Sequence, residues 1–395
     1  MENITTYKEK HIRFLDGIRC LGFLLVFLFH LSNSLEIQPQ PTLLGNSIIP
    51  VIFSDFGLHL FFVLSGYLHF KPFVTSVESN KDFPDIKKYL IRRFFRIYPA
   101  YLFFILLVLV SSFLSFYQAN HSPNLFLILS HVFLFHTFFD QTIWGLVGPW
   151  WAVALEVHFY IFLALSMVLL QRFQGRKLTS STLFWFVSIS LIASELFRIG
   201  FNFLNAVLLR FSQFNYINPD TILLPDRSLF GQLCTFACGM LLALILHSDK
   251  YRNICKLKAS DTTLVLGFIG LFVTNASVIF APPIHFYGND LLLSICWTVI
   301  LYCCLSNRQS RIIQFINSVL STKLFVYIGT ISYSCYLSHQ IVINVLRKHI
   351  FVLPTYNFGL FFAISLSTVM ATVLLSTVTY NFIEKPFLSL SAKFR

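Results

Sequence analysis

At 395 residues, with 56% hydrophobic and 12% charged residues, 47 phenylalanines and a mean hydropathy of +0.71, this chain is too apolar for an ordinary soluble domain. The formal net charge of +12 follows from basic loops that flank membrane spans, so no nucleic-acid partner is needed to explain it. The expected fold class is all-α: a polytopic transmembrane helical bundle of about ten spans in a single domain, with the lipid bilayer as its solvent.

In chain order the apolar stretches are Gly17 to Leu35, Ile49 to Phe70, Ile97 to Tyr117, Trp150 to Leu170, Thr182 to Leu204, Leu229 to Leu246, Thr262 to Phe280, Leu291 to Leu305, Leu324 to Leu346 and Gly359 to Phe382. Most approach the ~20 residues that a bilayer core requires, and Leu291 to Leu305 is the shortest. The first is too long for a signal peptide and lacks a small-residue cleavage site, so it reads as a transmembrane helix.

One more apolar stretch, Leu125 to Phe139, carries His131 and His136. If it does not cross, the loops bearing Lys8, Lys10 and Arg13, Lys71 to Arg96, Arg172 to Lys177, Lys250 to Lys258, Arg308 to Lys323 and the C-terminal Lys385, Lys393 and Arg395 all face the cytoplasm. Arg210, Arg227, Arg347 and Lys348 are then outside. If it crosses, three later basic loops move outside. The positive-inside bias therefore predicts both termini in the cytoplasm and a re-entrant or interfacial segment at Leu125 to Phe139. The expected location is the cell inner (cytoplasmic) membrane. Cysteines fall mostly within spans and form neither a disulfide framework nor a CxxC metal motif. On a continuous helix His131 and His136 would point about 140° apart, which argues against a metal pair.

Polar residues inside apolar runs mark the bundle interior. Arg19 and His30, eleven positions apart in the first span, share a helical face roughly 16 Å apart along the axis, with Asp16 one turn before Arg19. An Asp beside a buried Arg is equally well read as a structural ion pair. His59 and Ser65 lie in the second span, Glu156, His158 and Tyr160 in the fourth, Glu195 and Arg198 in the fifth, and His339 in the ninth. Glu195 and Arg198, three apart, can pair with each other. A lone His158 or His136 is read first as structural, and Trp150 and Trp151 as markers of the membrane interface. At the mouth of the third span, Arg92, Arg93 and Arg96 form a basic cluster that suits either lipid headgroups or a multiply phosphorylated ligand, with Arg92 and Arg96 on one face.

The segments Phe14-Leu15-Asp16-Gly17-Ile18-Arg19 through His30, Gly57-Leu58-His59-Leu60-Phe61-Phe62-Val63-Leu64-Ser65-Gly66-Tyr67 and Arg92-Arg93-Phe94-Phe95-Arg96-Ile97-Tyr98-Pro99 come first. They are followed by Trp151 to Tyr160, Gly329 to His339 and Phe382-Ile383-Glu384-Lys385-Pro386-Phe387. Together, in that order, they resemble the motifs of the integral-membrane acyltransferase family 3, which includes bacterial polysaccharide, lipopolysaccharide and macrolide O-acyltransferases. The chain departs from that pattern at His59, where the family often has Asp, at Val157, where it has a second Glu, and at Ala152 and Ala154, where it has Ser.

The resemblance implies transfer of an acyl group, usually acetyl, from cytoplasmic acyl-CoA (acetyl-CoA) as donor substrate to a hydroxyl of a cell-envelope glycan or related sugar or glycolipid acceptor, with no metal. The chain ends soon after its last span, so no fused extracytoplasmic domain is expected. Acyl transfer to an alcohol needs a proton acceptor and a way to hold developing negative charge. His30 is the candidate base, Arg19 the orienting or phosphate-binding group with Asp16 fixing its guanidinium, and Glu156 a group that orients His30 or meets the acceptor. Arg92, Arg93 and Arg96 are candidates for the adenosine-phosphate end of the donor. A transporter or flippase of a lipid-linked glycan would use the same intramembrane charges, but no inverted repeat is evident.

Overall fold

The computed structural model describes residues 4–34, 56–174, 178–211, 227–255, 257–280, 289–306, 310–350 and 358–394. Every regular element among them is helical. The helices are α1 (Ile4–Ser34), α2 (Phe56–Glu78), α3 (Ile86–Phe113), α4 (Leu125–Val132), α5 (Asp140–Ile143), α6 (Trp151–Gln174), α7 (Ser180–Phe211) and α8 (Leu229–His247). They continue with α9 (Asp249–Ile254), α10 (Asp261–Phe280), α11 (Asn289–Ser306), α12 (Arg311–Leu320), α13 (Lys323–Thr330), α14 (Ser332–His349), α15 (Phe358–Thr379) and α16 (Lys385–Ser391).

Among the described residues, 8 helices are long and apolar enough to span a membrane, so the expected count of about ten is approximate. The expected seventh span, Thr262 to Phe280, falls on α10, Asp261–Phe280. The expected ninth, Leu324 to Leu346, is not one helix: it breaks at Ile331 between α13 and α14, and α13 instead pairs with α12 across a 59° bend. The break falls in Gly329-Thr330-Ile331-Ser332, a run of poor helix formers. It also lets α13 lean onto α1, where a Cβ on Gly329 would lie 1.8 Å from the Asp16 carbonyl oxygen.

In hydrocarbon there is no hydrophobic gain to drive helices together, so close packing must do it. Helices α2 and α8 meet backbone to backbone, and a Cβ on Gly239 would lie 1.9 Å from the Val63 carbonyl oxygen. Around that crossing the Phe236 ring stacks on Phe62 at 4.6 Å and on Phe159 at 4.1 Å, which ties α2, α6 and α8 into one core.

The end of α15 widens into a π turn, Tyr380–Glu384. Pro386 follows two residues later; it has no N–H to give and its ring crowds the Phe382 carbonyl, which relaxes the ordinary helical ladder. The wider turn directs Glu384 inward, where it is 1% exposed.

The Leu125 to Phe139 stretch is too short to cross. Asn124 caps α4 by accepting from the Leu127 N–H at 2.8 Å, α4 stops after 8 residues, and Leu134 adopts a left-handed φ of 60°. That reversal overturns the continuous-helix geometry expected for its histidines: His131 and His136 stack face to face, centroids 4.1 Å apart and 4° from parallel. No group of three or more metal-ligating residues occurs among the described residues. Trp150 is also not an interfacial marker. It is fully buried, donates from Nε1 to the Leu337 carbonyl at 3.0 Å, and packs edge-on against Tyr101.

Gly239→Ala should lower the yield of monodisperse protein sharply, because the added methyl group meets backbone on α2; size-exclusion profiles of detergent-solubilised protein measure this. Burial pushes the His131 imidazole down to about 4, and burial followed by the neighbouring His131 holds His136 well below its ordinary value. A histidine whose folded pKa is depressed supports stability fully above its unfolded value of about 6.5, and that support is lost as pH falls toward 4. Thermal unfolding midpoints should therefore fall as pH is lowered through this window, and more shallowly in His136→Phe, which keeps a stacked ring without a titrating group.

Candidate active site

Arg19 projects from the middle of α1, where a guanidinium is tolerated only with a partner. Asp16, one turn earlier, supplies it: Arg19 Nη1 donates to Asp16 Oδ1 at 2.6 Å. The Asp16 backbone is the surface on which Gly329 of α13 rests, so the pair is held from behind by a helix contact that tolerates no side chain. Arg19 faces a cavity of about 110 Å³ whose walls come from α1, α2, α3, α6 and α14. Its polar lining consists of Arg19, Ser65, His69, Arg93, Arg96, Glu156, Tyr160, Ser332, Tyr333 and Tyr336.

Arg96 stands 3.5 Å from Glu384 Oε2, the carboxylate turned inward by the π turn, and Ser334 of α14 donates to the other oxygen of that carboxylate. The third-helix, late-helix and closing motifs therefore meet at one point. Arg93 has no carboxylate partner among the described residues. Its guanidinium lies 5.7 Å from the Tyr89 ring centroid and 5.9 Å from that of Tyr160, and its Nε is buried without a hydrogen-bond partner. Glu156, also in the lining, accepts from Ser65 Oγ at 3.0 Å and from the Tyr160 hydroxyl. The His69 ring packs 4.4 Å from Tyr160, and its Nδ1 is 3.3 Å from the Tyr89 hydroxyl.

Of the residues expected at the site, the fold brings Asp16, Arg19, Glu156, Arg93 and Arg96 together around this cavity. Arg92 departs from the expectation. On α3 it is Arg93 and Arg96, three apart, that line the cavity, whereas Arg92 donates to the Phe394 carbonyl at 3.2 Å. His30 also lies apart from the cavity lining. Its ring is 5.2 Å from that of His339 on α14, so Glu156, engaged by Ser65 and Tyr160, does not orient it. Tyr336 stands between the two regions: it lines the cavity, and its ring lies 5.4 Å from His339 and 6.3 Å from Phe61.

His158, read first as structural, lies outside the cavity lining, with Nε2 2.9 Å from the Leu134 carbonyl oxygen and its ring stacked on Phe138. A second polar cluster was not legible as a unit in the sequence. Asp290, in the first turn of α11, is 2.9 Å from Arg198 Nη1, 3.0 Å from His59 Nε2 and 3.0 Å from Gln232 Nε2. Arg198 is thus paired across helices with Asp290 instead of along its own helix with Glu195. The available signal was the Asn289-Asp290 pair just before the eighth apolar run, which reads as a loop until the helix is seen to start two residues earlier. His59 joins this cluster, so its departure from the family pattern falls outside the arginine cavity.

A family profile described as "Acyltransferase domain" matches residues 12–380. The peptidoglycan O-acetyltransferase OatA of Listeria monocytogenes is 26% identical, over 98% of this chain and 57% of its own length. A putative O-acetyltransferase of Staphylococcus aureus (strain COL) is 25% identical, over 98% of this chain and 59% of its own. The putative peptidoglycan O-acetyltransferase YrhL of Bacillus subtilis is 26% identical, over 96% and 56%. The chain thus spans less than two thirds of the length of these relatives. No solved structure matches it. The family profile extends from the helix that carries Arg19 to the π turn that carries Glu384, and on that basis the chain belongs to the acyltransferase family.

Proposed function

We propose that this protein is a membrane O-acetyltransferase that takes an acetyl group from acetyl-CoA at the cytoplasmic side and transfers it to a hydroxyl of a cell-envelope glycan, with peptidoglycan the leading acceptor. The observation that carries the reading is the cavity with three guanidinium groups. Arg19 and Arg96 are each neutralised by a carboxylate behind them. Arg93, with its buried unpaired Nε, retains its charge and a donor for an incoming anion. A planar guanidinium recognises phosphate by paired hydrogen bonds, which is what the diphosphate of coenzyme A offers. The peptidoglycan acceptor is favoured by the names of the two relatives described as acting on it.

With the phosphates at Arg93 and Arg96, the pantetheine arm extends along α1 past Arg19 toward His30, and the thioester is delivered beyond Tyr336. There His30 takes the proton of the acceptor hydroxyl as its oxygen attacks the thioester carbonyl. Glu156, held by Ser65 and Tyr160, shapes the wall along which the donor lies. Both termini are on the cytoplasmic face in this reading, which places the arginine cavity within reach of the cytoplasmic donor.

Release of free thiol from acetyl-CoA by purified protein, in the presence of a glycan acceptor, reads the reaction directly. Arg93→Ala should raise the KM for acetyl-CoA by about 10- to 100-fold, the loss expected when a charged hydrogen-bonding partner is removed. Arg92→Ala should leave it near the wild-type value; equal effects at the two positions would mean that the cluster acts only as a membrane anchor. His30→Ala should lower turnover by ~10²- to 10⁴-fold while the protein remains folded and binds donor. Transfer near the wild-type rate in folded His30→Ala protein would remove this residue from the mechanism.

A further inference from the structure

Beyond Tyr336, the fold places a second imidazole directly against His30. His339 is fully buried, and its Nδ1 lies 2.6 Å from the Tyr336 carbonyl oxygen. A carbonyl can only accept, so Nδ1 carries the hydrogen, and in the neutral ring the lone pair is left on Nε2. That Nε2 is buried and has no hydrogen-bond partner among the described residues. An acceptor left unsatisfied in an interior is unfavourable and calls for a reason. Three other histidines are tied down: His59 to Asp290, His69 to Tyr89, and His158 to the Leu134 carbonyl. The buried His136, stacked on His131, shares with His339 a ring nitrogen without a hydrogen-bond partner but lies outside both the arginine cavity and the cleft lined by Gln340 and Asn344.

The position of His339 is as informative as its tautomer. One turn before it, Tyr336 lines the arginine cavity. The next residue, Gln340, donates to Ser34 Oγ at 3.2 Å, and Ser34 is one turn beyond His30. Ser34 and Gln340, with Gln118, Asn120, Asn344 and Arg347, line a second cleft rich in the amide groups that hydrogen-bond sugar hydroxyls. The two imidazoles therefore stand between a cavity suited to an anionic donor and a cleft suited to a polar acceptor. Their ring centroids are 5.2 Å apart with the planes tilted by 45°, so the two rings are immediate neighbours although no hydrogen bond joins them in this structure.

We propose that His339 is the second imidazole of the transfer site and receives, through His30, the proton that leaves the acceptor hydroxyl. This rests on the transfer reaction proposed above. As the hydroxyl oxygen forms its bond to the thioester carbonyl carbon, its proton passes to one nitrogen of His30, and the hydrogen on the other His30 nitrogen passes to His339 Nε2. The carbon–sulfur bond then breaks with its electron pair on sulfur, and the proton on His339 returns through His30 to the leaving thiolate.

The test uses the full chain with acetyl-CoA as donor and a soluble N-acetylglucosamine–N-acetylmuramic acid oligosaccharide as acceptor. In His339→Asn the side-chain amide can still donate to the Tyr336 carbonyl but cannot take up a proton. It should lower kcat by ~10²- to 10⁴-fold with the KM for acetyl-CoA unchanged. The double variant His30→Ala/His339→Asn should be no slower than the slower single variant, because both remove one proton path. Added imidazole should restore part of the turnover of His339→Ala. Near wild-type kcat in His339→Asn overturns the proposal, as does a loss that tracks the fraction of unfolded protein and shows no imidazole rescue in His339→Ala. If the wild-type protein does not consume acetyl-CoA with this acceptor, the transfer reading itself falls, and the role of His339 with it.

Discussion

A guanidinium inside a hydrocarbon slab is tolerated only with a partner, and the rest of this structure depends on how Arg19 and Arg96 are partnered. Arg19 finds Asp16 on its own helix, one turn away. Arg96 finds Glu384, nearly three hundred residues later in the chain. The first pairing is local and needs only helical spacing. The second can form only if α15 arrives beside α3 and turns its last carboxylate inward, which the π turn before Pro386 accomplishes. Once both pairs are made, the cavity between α1, α3 and α6 has charged walls that are neutralised from behind, and Arg93 is the cavity guanidinium without a carboxylate partner among the described residues.

Packing without a hydrophobic driving force explains where two of the glycines sit. Gly329 rests on the Asp16 backbone, and Gly239 on that of Val63. Each contact lies next to a functional helix, and each would be wedged apart by one methyl group. The aromatic richness of the chain has the same role at larger scale, since Phe62, Phe159 and Phe236 fill the space between α2, α6 and α8 with stacked rings that hold those helices at fixed separation. Ser65 and Glu156 hang from two of these helices, so their hydrogen bond reports that the walls are in register.

The break of the expected ninth span at Ile331 has a consequence for how the cavity is built. As one continuous helix, Leu324 to Leu346 could not both press Gly329 against α1 and present Ser332, Tyr333 and Tyr336 to the cavity. With the break, α13 braces the Arg19–Asp16 pair while α14 runs past the cavity, past His30 and on to the amide-lined cleft. One helix thus touches every compartment that a donor and an acceptor would occupy, and Tyr336 marks the boundary between them.

The sequence by itself determined that the chain is a helical membrane bundle, that Leu125 to Phe139 is set apart from the spans, and that Asp16 and Arg19 form a pair, because these rest on composition, segment length and spacing along one helix. Its motifs also determined the family. Tertiary structure alone decided that Arg93 and Arg96, and not Arg92, face the cavity, that His30 is matched with His339 and not with Glu156, and that Arg198 pairs with Asp290 and not with Glu195. It likewise decided that His131 and His136 stack, once a left-handed residue had broken the helix assumed to separate them. The physical reason is the same in each case: a helical period says which residues of one element share a face, but which face is buried, and against what, is set by neighbouring elements that are distant in the sequence.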